Sequence, residues 1–309
     1  MSARPKREAV YDSRQDQRPA DSLAAIHAWQ GRMLDYFDVL ADLHATRRPK
    51  TYLEIGVFHG DSLRLAGGDT FCVGVDPEPD IPHDVASRCH IERMTSDDFF
   101  AGPRVSELLG DETLDMAFID GLHLFEFALR DFMSIESHSS SDSLIVVHDC
   151  LPRDAATSSR ERVTEHWTGD VWKLVPCLLE YRPDLAISLI DVPPSGLGLI
   201  TNLRPGDRVL LDNYAAIVER FVPMGYDEWS WRKADVLPRL TSTPEAKVWA
   251  LRQEIGLAHE RIALSRAHVA ELEQQLREIH DSTSWRLTAP LRRVGQLLGT
   301  RQERQGRTP

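Results

Sequence analysis

The sequence predicts an α/β fold, a doubly wound and mostly parallel seven-stranded sheet followed by a C-terminal coiled-coil helix. Three observations carry this expectation. Short apolar runs alternate with helical patterns, as in a parallel sheet covered on both faces. Those runs end in glycine or an acid: TYLEIG, TFCVGVD, LDMAFID and SLIVVHD. After residue 240 the apolar period changes to an unbroken alternation of three and four.

The elements follow in order. Residues 1–20 are rich in Arg, Asp, Gln and Pro and are expected to be disordered. From Ser22 to Ala45, Leu23, Ile26, Trp29, Met33, Phe37, Leu40 and Leu43 recur at helical spacing, with Asp21 as the expected N-cap. TYLEIG, a glycine turn and the helix-like DSLRLAG come next, then TFCVGVD, CHIERM and LDMAFID. A helical pattern over Leu124–Ile135 precedes SLIVVHD. LAISLIDV and GLGLITNL flank Pro193-Pro194-Ser195-Gly196 and read as a hairpin forming an antiparallel edge. The globular domain is expected to span 21–240.

Val248, Leu251, Ile255, Ala258, Ile262, Ser265, Val269, Leu272, Leu276 and Ile279 make a heptad seam within an expected helix over 241–281. That seam suits a homo-oligomer or another coiled-coil partner; packing on the globular domain is the other reading. Residues 282–309 carry six arginines and one glutamate from Arg286 onward. With Trp285, Leu287, Leu291, Val294, Leu297 and Leu298 they form either a basic amphipathic segment for an anionic membrane surface or a disordered tail.

Composition narrows the function. Over 309 residues the net charge is −12, which argues against nucleic-acid binding across the surface. Cys72, Cys89, Cys150 and Cys177 form no zinc spacing. The polar N-terminus has no apolar signal-peptide core, and no stretch reaches spanning length. A reduced, cytoplasmic protein is the expectation.

The ligand loop is Leu53-Glu54-Ile55-Gly56-Val57-Phe58-His59-Gly60-Asp61-Ser62. Gly56 permits a sharp turn and close ligand approach, and the N–H groups of the helix expected at once after it would face the ligand. Glu54 offers a carboxylate where a phosphate site needs none, so an amino-acid ammonium fits. Asp76 at the end of the second strand can accept ribose hydroxyls. Asp97 and Asp98 follow the third strand near an adenine position.

These features in order resemble the class I S-adenosylmethionine (SAM) dependent methyltransferases, with a Rossmann-like sheet. The resemblance implies SAM as cofactor. It implies cofactor roles for Glu54, Gly56, Gly60, Ser62, Asp76, Asp97 and Asp120. The string Ile119-Asp120-Gly121-Leu122-His123, an apolar helix, then Val147-His148-Asp149 resembles the group of macrocin O-methyltransferase and related sugar O-methyltransferases. Fourth and fifth strands are neighbours in that order, so Asp120 and Asp149 should lie together. Two such carboxylates repel unless a cation sits between them, and Mg²⁺ suits oxygen ligands. Asp120 and Asp149 are therefore expected metal ligands, and His123 or His148, with Asp120, the catalytic group. Cys150 departs from the pattern, standing where a third oxygen ligand is common.

The insertion after the fifth strand offers Trp167 and Trp172 as flat faces for a sugar ring, and Asp170 and Lys173 as hydrogen-bonding groups. Arg160 and Arg162 could meet a phosphate. Ser284-Trp285-Arg286-Leu287-Thr288-Ala289-Pro290-Leu291 resembles endings of bacterial polysaccharide glycosyltransferases. The expectation is an O-methyltransferase acting on a sugar-containing acceptor, cytoplasmic or at the inner membrane surface. A small-molecule or lipid methyltransferase, and a degenerate SAM-binding assembly partner, are the alternatives.

Overall fold

The computed structural model describes residues 35–229, 261–262, 264–279 and 288, which divide into two units near residue 251. The expected disordered residues 1–20, the seam residues 248–258 and nearly all of the tail lie outside the described residues.

In the first unit, helix α1 spans Tyr36–Arg47 and begins at a capping box. Asp35 accepts from the Phe37 and Asp38 N–H groups, and Asp38 accepts from the Asp35 N–H at 2.9 Å. This corrects the expectation of one helix running on from Ser22. The extended backbone at Asp35 (φ −127°, ψ 178°) starts a new helix, because the reciprocal Asp pair satisfies first-turn N–H groups.

Seven strands form one sheet: β1 Thr51–Ile55, β2 Phe71–Val75, β3 His90–Glu92, β4 Leu114–Ile119, β5 Ser139–His148, β6 Ala186–Ile190 and β7 Leu197–Thr201. Their order is β3-β2-β1-β4-β5-β7-β6. The sheet is parallel from β3 to β5, and β7 runs antiparallel to both β5 and β6. The expected seven-stranded fold is observed.

Register decides where the site forms. Ile55 pairs with Ile119, and Ile119 with Val147. The residues just beyond these positions therefore emerge along one sheet edge. His148 pairs with Leu197, so the turn before β7 returns to that same edge.

The helices are α2 His83–Ala86, α3 Ser96–Ala101, α4 Arg104–Leu109, α5 Phe125–Ser137, α6 Leu174–Tyr181, α7 Val209–Asp212 and α8 Tyr214–Phe221. One expected helix is missing. After β1 the chain makes only a 3₁₀ turn at Leu63–Leu65. Gly67-Gly68 follow at once, and so few residues do not offset the cost of helix nucleation. The β1 loop therefore has no helix N-terminus behind it.

The core is built on the central strands. Leu144–Val147 are fully buried on β5, and Phe125, Leu129, Phe132 and Ile135 of α5 pack at helical spacing in one cluster with Ile145 and Val147. Each such side chain contributes roughly 1.5–3 kcal/mol. Away from the site, buried Arg182 bridges Glu136 (2.7 and 3.0 Å) and Asp184 (3.0 and 2.9 Å). Arg182→Met is expected to destabilise the fold by about 3–5 kcal/mol in denaturant unfolding, because it leaves buried Glu136 without its cation.

In the second unit residues 261–262 and 264–279 are helical. Among the described residues no helix is long and apolar enough to cross a membrane.

Candidate active site

The site opens beside the β1 and β4 ends, where the sheet order reverses direction. Open parallel sheets bind ligands at such a switch point. Gly56 is required there. Its φ is +86°, and a Cβ would stand 2.1 Å from the Asp120 carbonyl oxygen. Gly60, at φ +76°, instead packs near Ile81 and Val85 side chains.

Glu54 is fully buried and accepts from Tyr52 Oη at 2.7 Å and Ser62 Oγ at 2.6 Å. Burial pushes its carboxyl up to about 8, against the hydrogen bonds from Ser62 and Tyr52, which lower it. Ser62 and Tyr52 thus fix the Glu54 carboxyl from both oxygens. Asp76 staples the loop: Oδ2 accepts from the Val57 and Phe58 N–H groups at 2.9 and 3.0 Å, and Oδ1 from the Glu78 N–H at 2.8 Å. Phe58 is held at φ +48° with its ring exposed. Asp97 is gripped by Arg130 at 2.8 and 2.7 Å, which holds its carboxyl below the usual range.

A pH dependence follows from Glu54. The native carboxyl keeps its proton from pH 4.5 to about 8, whereas the unfolded one loses it. The native state thus binds more protons, and stability falls as pH rises through that window, by up to about 1.4 kcal/mol per pH unit. Burial does the same to Asp131, raised to about 7. Glu54→Gln should flatten the decline in melting temperature between pH 5 and 8; an unchanged slope would refute the buried-acid assignment.

Beyond the loop, four titratable side chains converge. His148 Nδ1 lies 3.0 Å from Asp120 Oδ1 and 3.6 Å from Asp149 Oδ1. His123 Nδ1 lies 2.5 Å from Asp149 Oδ2, and its Nε2 lies 3.7 Å from Asp120 Oδ1. His123 and Asp149 both carry φ near +60°, at 61° and 62°. Strained backbone of this kind collects at functional sites. Burial would lower His148, but Asp120 and Asp149 raise it to about 9. Burial likewise opposes the rise of His123, which contact with Asp149 and the Asp120 charge bring about. Burial would raise Asp120, yet the two histidines hold it below its ordinary value. A shallow, open concavity adjoins the cluster, lined by Asp120, Leu122, His123, Asp131, His148 and Asp149.

The sequence left two of these groups unseen. Ser195 Oγ donates to Asp149 Oδ1 at 2.5 Å and lies 3.4 Å from His148 Nε2. The Tyr36 ring stacks on His148 at 4.3 Å. Ser195 was legible in principle, since the turn of an antiparallel hairpin beside β5 must fall at the β5 exit. Tyr36 carries no such signal.

The acceptor side needs a larger correction. Trp172, Asp170 and Lys173 are almost completely buried and cannot meet a substrate. Trp172 packs on Trp229 at 5.3 Å. Asp170 accepts from the Phe125 N–H, Arg160 and Lys173 at 2.8, 2.7 and 2.7 Å. Arg160 also holds Glu126 through two contacts, so it is not open to a phosphate. The clustered charges satisfy one another, which is what permits their burial. Trp167 alone remains partly exposed, stacked on His123 at 5.5 Å with 28° between the planes.

Asp120, His123 and Asp149 each offer an atom within 4.8 Å of the others. His123 Nδ1 and Asp149 Oδ2 are buried and, though close, lack an aligned hydrogen bond. Clustered carboxylates and an imidazole are a donor set that could share a cation. Carboxylates with an imidazole fit Mn²⁺, Fe²⁺ or Zn²⁺ better than an all-oxygen Mg²⁺ site. Cys150 points away, into the sheet beside Gly198.

Sheet order and strand directions give a doubly wound, Rossmann-like α/β fold of the methyltransferase type. Residues 53–150 match a family model described as a methyltransferase domain. No curated protein matches the chain. Solved structures that resemble it include the O-methyltransferase TomG of Streptomyces achromogenes, in complex with SAM and involved in tomaymycin synthesis (20% identity, TM-score 0.43, 55% of this chain and 80% of that one). Cofactor-bound Rv0187 from MTB has 19% identity and TM-score 0.43, over 58% and 87%. The O-methyltransferase of Bacillus cereus in complex with SAH has 13% identity and TM-score 0.41, over 58% and 86%.

Proposed function

We propose that the chain is a SAM-dependent O-methyltransferase whose acceptor is a sugar hydroxyl. The observation that carries this is the Asp120–His123–His148–Asp149 cluster standing beside the β1/β4 switch point, with Trp167 stacked on His123. SAM, when bound, supplies an activated methyl group. Gly56, Asp76 and Asp120 are the groups that would border it. Transfer to oxygen then requires an oriented hydroxyl and a place for its proton. His123 is the most open of the clustered bases. Asp149 contacts its Nδ1 and Ser195 holds Asp149, so Nε2 is left toward the concavity. Trp167 offers a flat apolar face against which a pyranose ring can lie. A tail that resembles endings of polysaccharide glycosyltransferases adds the sugar context.

A second reading concerns the same cluster. The convergence of these donors favours a divalent cation held by Asp120, His123 and Asp149. A cation there would lower the pKa of the acceptor hydroxyl.

Calorimetry with SAM and transfer of labelled methyl to nucleotide sugars and lipid-linked glycans, with and without EDTA, test both readings. Tight SAM binding with EDTA-resistant transfer supports His123 as the base. EDTA-sensitive transfer restored by Mn²⁺ supports the cation. Absence of SAM binding at high micromolar concentration would remove the proposal altogether.

A further inference from the structure

The second unit carries an apolar seam that the proposed chemistry does not use. Ile262, Val269, Leu272, Leu276 and Ile279 recur at heptad a and d positions of the helical residues 261–262 and 264–279, and each is about half exposed. Ser265 fills the remaining d position. Leu264 is more exposed still but lies off the seam. A stripe of this period, flanked by charged residues, fits a second helix of the same kind. The flanking charges then choose its direction.

In a parallel in-register pair each a and d residue meets its own copy. Ser265 would face Ser265 of the second copy, leaving a poorly filled polar layer. Arg261 at position g would stand beside Arg266 at position e of the second copy, twice by symmetry, and like charges there are unfavourable. Only His268 beside Glu273 would favour that arrangement.

An antiparallel pair changes each of these contacts. Aligning Val269 with Leu272 of the second copy brings Ser265 opposite Leu276 and Ile262 opposite Ile279. Small then faces large, the combination that fills a helix interface evenly. Along the flank Arg266 meets Glu273 twice, and His268 meets uncharged Gln275. No like-charged pair occurs among the described seam and flank residues.

We infer that this seam is covered by the same seam of a second copy, running antiparallel, so that the chain forms a dimer through its C-terminal helix. This inference is independent of the methyltransferase reading.

The test uses the full-length chain. Sedimentation should give twice the 35.0 kDa chain mass. Leu272→Lys should reduce it to one chain, and because that side chain is half exposed in the single chain, the melting temperature of the globular unit should not move. Disulfide trapping sets the direction. The double variant Ser265→Cys/Leu276→Cys should give a covalent dimer in high yield, with the 265–276 bridge identified by peptide mass spectrometry. The two positions are about 16 Å apart along one helix, too far to join within a chain. Ser265→Cys alone should cross-link poorly. Efficient 265–265 bridging in that single variant would overturn the antiparallel arrangement. A parent chain that sediments at single-chain mass at tens of micromolar would overturn the dimer.

Discussion

Asp149→Asn is expected to lower methyl transfer by about 10²–10⁴-fold while leaving the fold intact. Ser195 can still donate to the Asn carbonyl, so packing survives. The amide NH₂, however, would face His123 Nδ1 where the carboxylate now lies 2.5 Å away. It disfavours the Nδ1–H tautomer and places the proton on Nε2, where a base needs a lone pair. A cation at the cluster would also lose an anionic ligand. The check is turnover of labelled SAM with an acceptor found by screening, alongside the melting temperature. A variant with turnover within threefold of the parent would show that Asp149 serves the fold only.

Gly169→Ala is expected to damage both stability and activity. Gly169 sits at φ +56°, and a Cβ would stand 1.7 Å from the His123 carbonyl oxygen. That oxygen also accepts from the Asp170 N–H at 3.1 Å. The methyl group must displace either the residue-169 backbone or the strained His123 peptide, at a cost of about 3 kcal/mol or more. Denaturant unfolding measures the first effect. Loss of turnover beyond what the unfolded fraction explains measures the second. A stability change below about 1 kcal/mol would mean that the loop does not rest on His123.

The sheet was legible because apolar runs and their terminal acids repeat a physical pattern, and parallel register then brings Asp120, His148 and Asp149 together. His123 was legible from its spacing after Asp120. The inward partners of Glu54, Tyr52 and Ser62, were not legible, because a carboxylate in a glycine loop reads the same whichever way it points. Trp172, Asp170 and Lys173 misled for a related reason. Polar and aromatic residues in a long insertion resemble a binding surface, and only three-dimensional packing shows that they close on one another. The short turn after β1 was foreshadowed by Gly67-Gly68, a signal outweighed by the loop motif before it.

The salt-bridged anchor beneath residues 160–173 has a consequence for how acceptors are chosen. Arg160, Asp170 and Lys173 are tied to Glu126, to the Phe125 N–H and to the Val222 carbonyl. Lifting that segment would strand several charges in apolar surroundings, so it behaves as fixed masonry rather than a swinging door. Under the proposed function, acceptors would meet a wall of settled shape here. Discrimination among them would then rest on preformed shape, and new preferences would arise most readily by exchanging the exposed residues around Trp167.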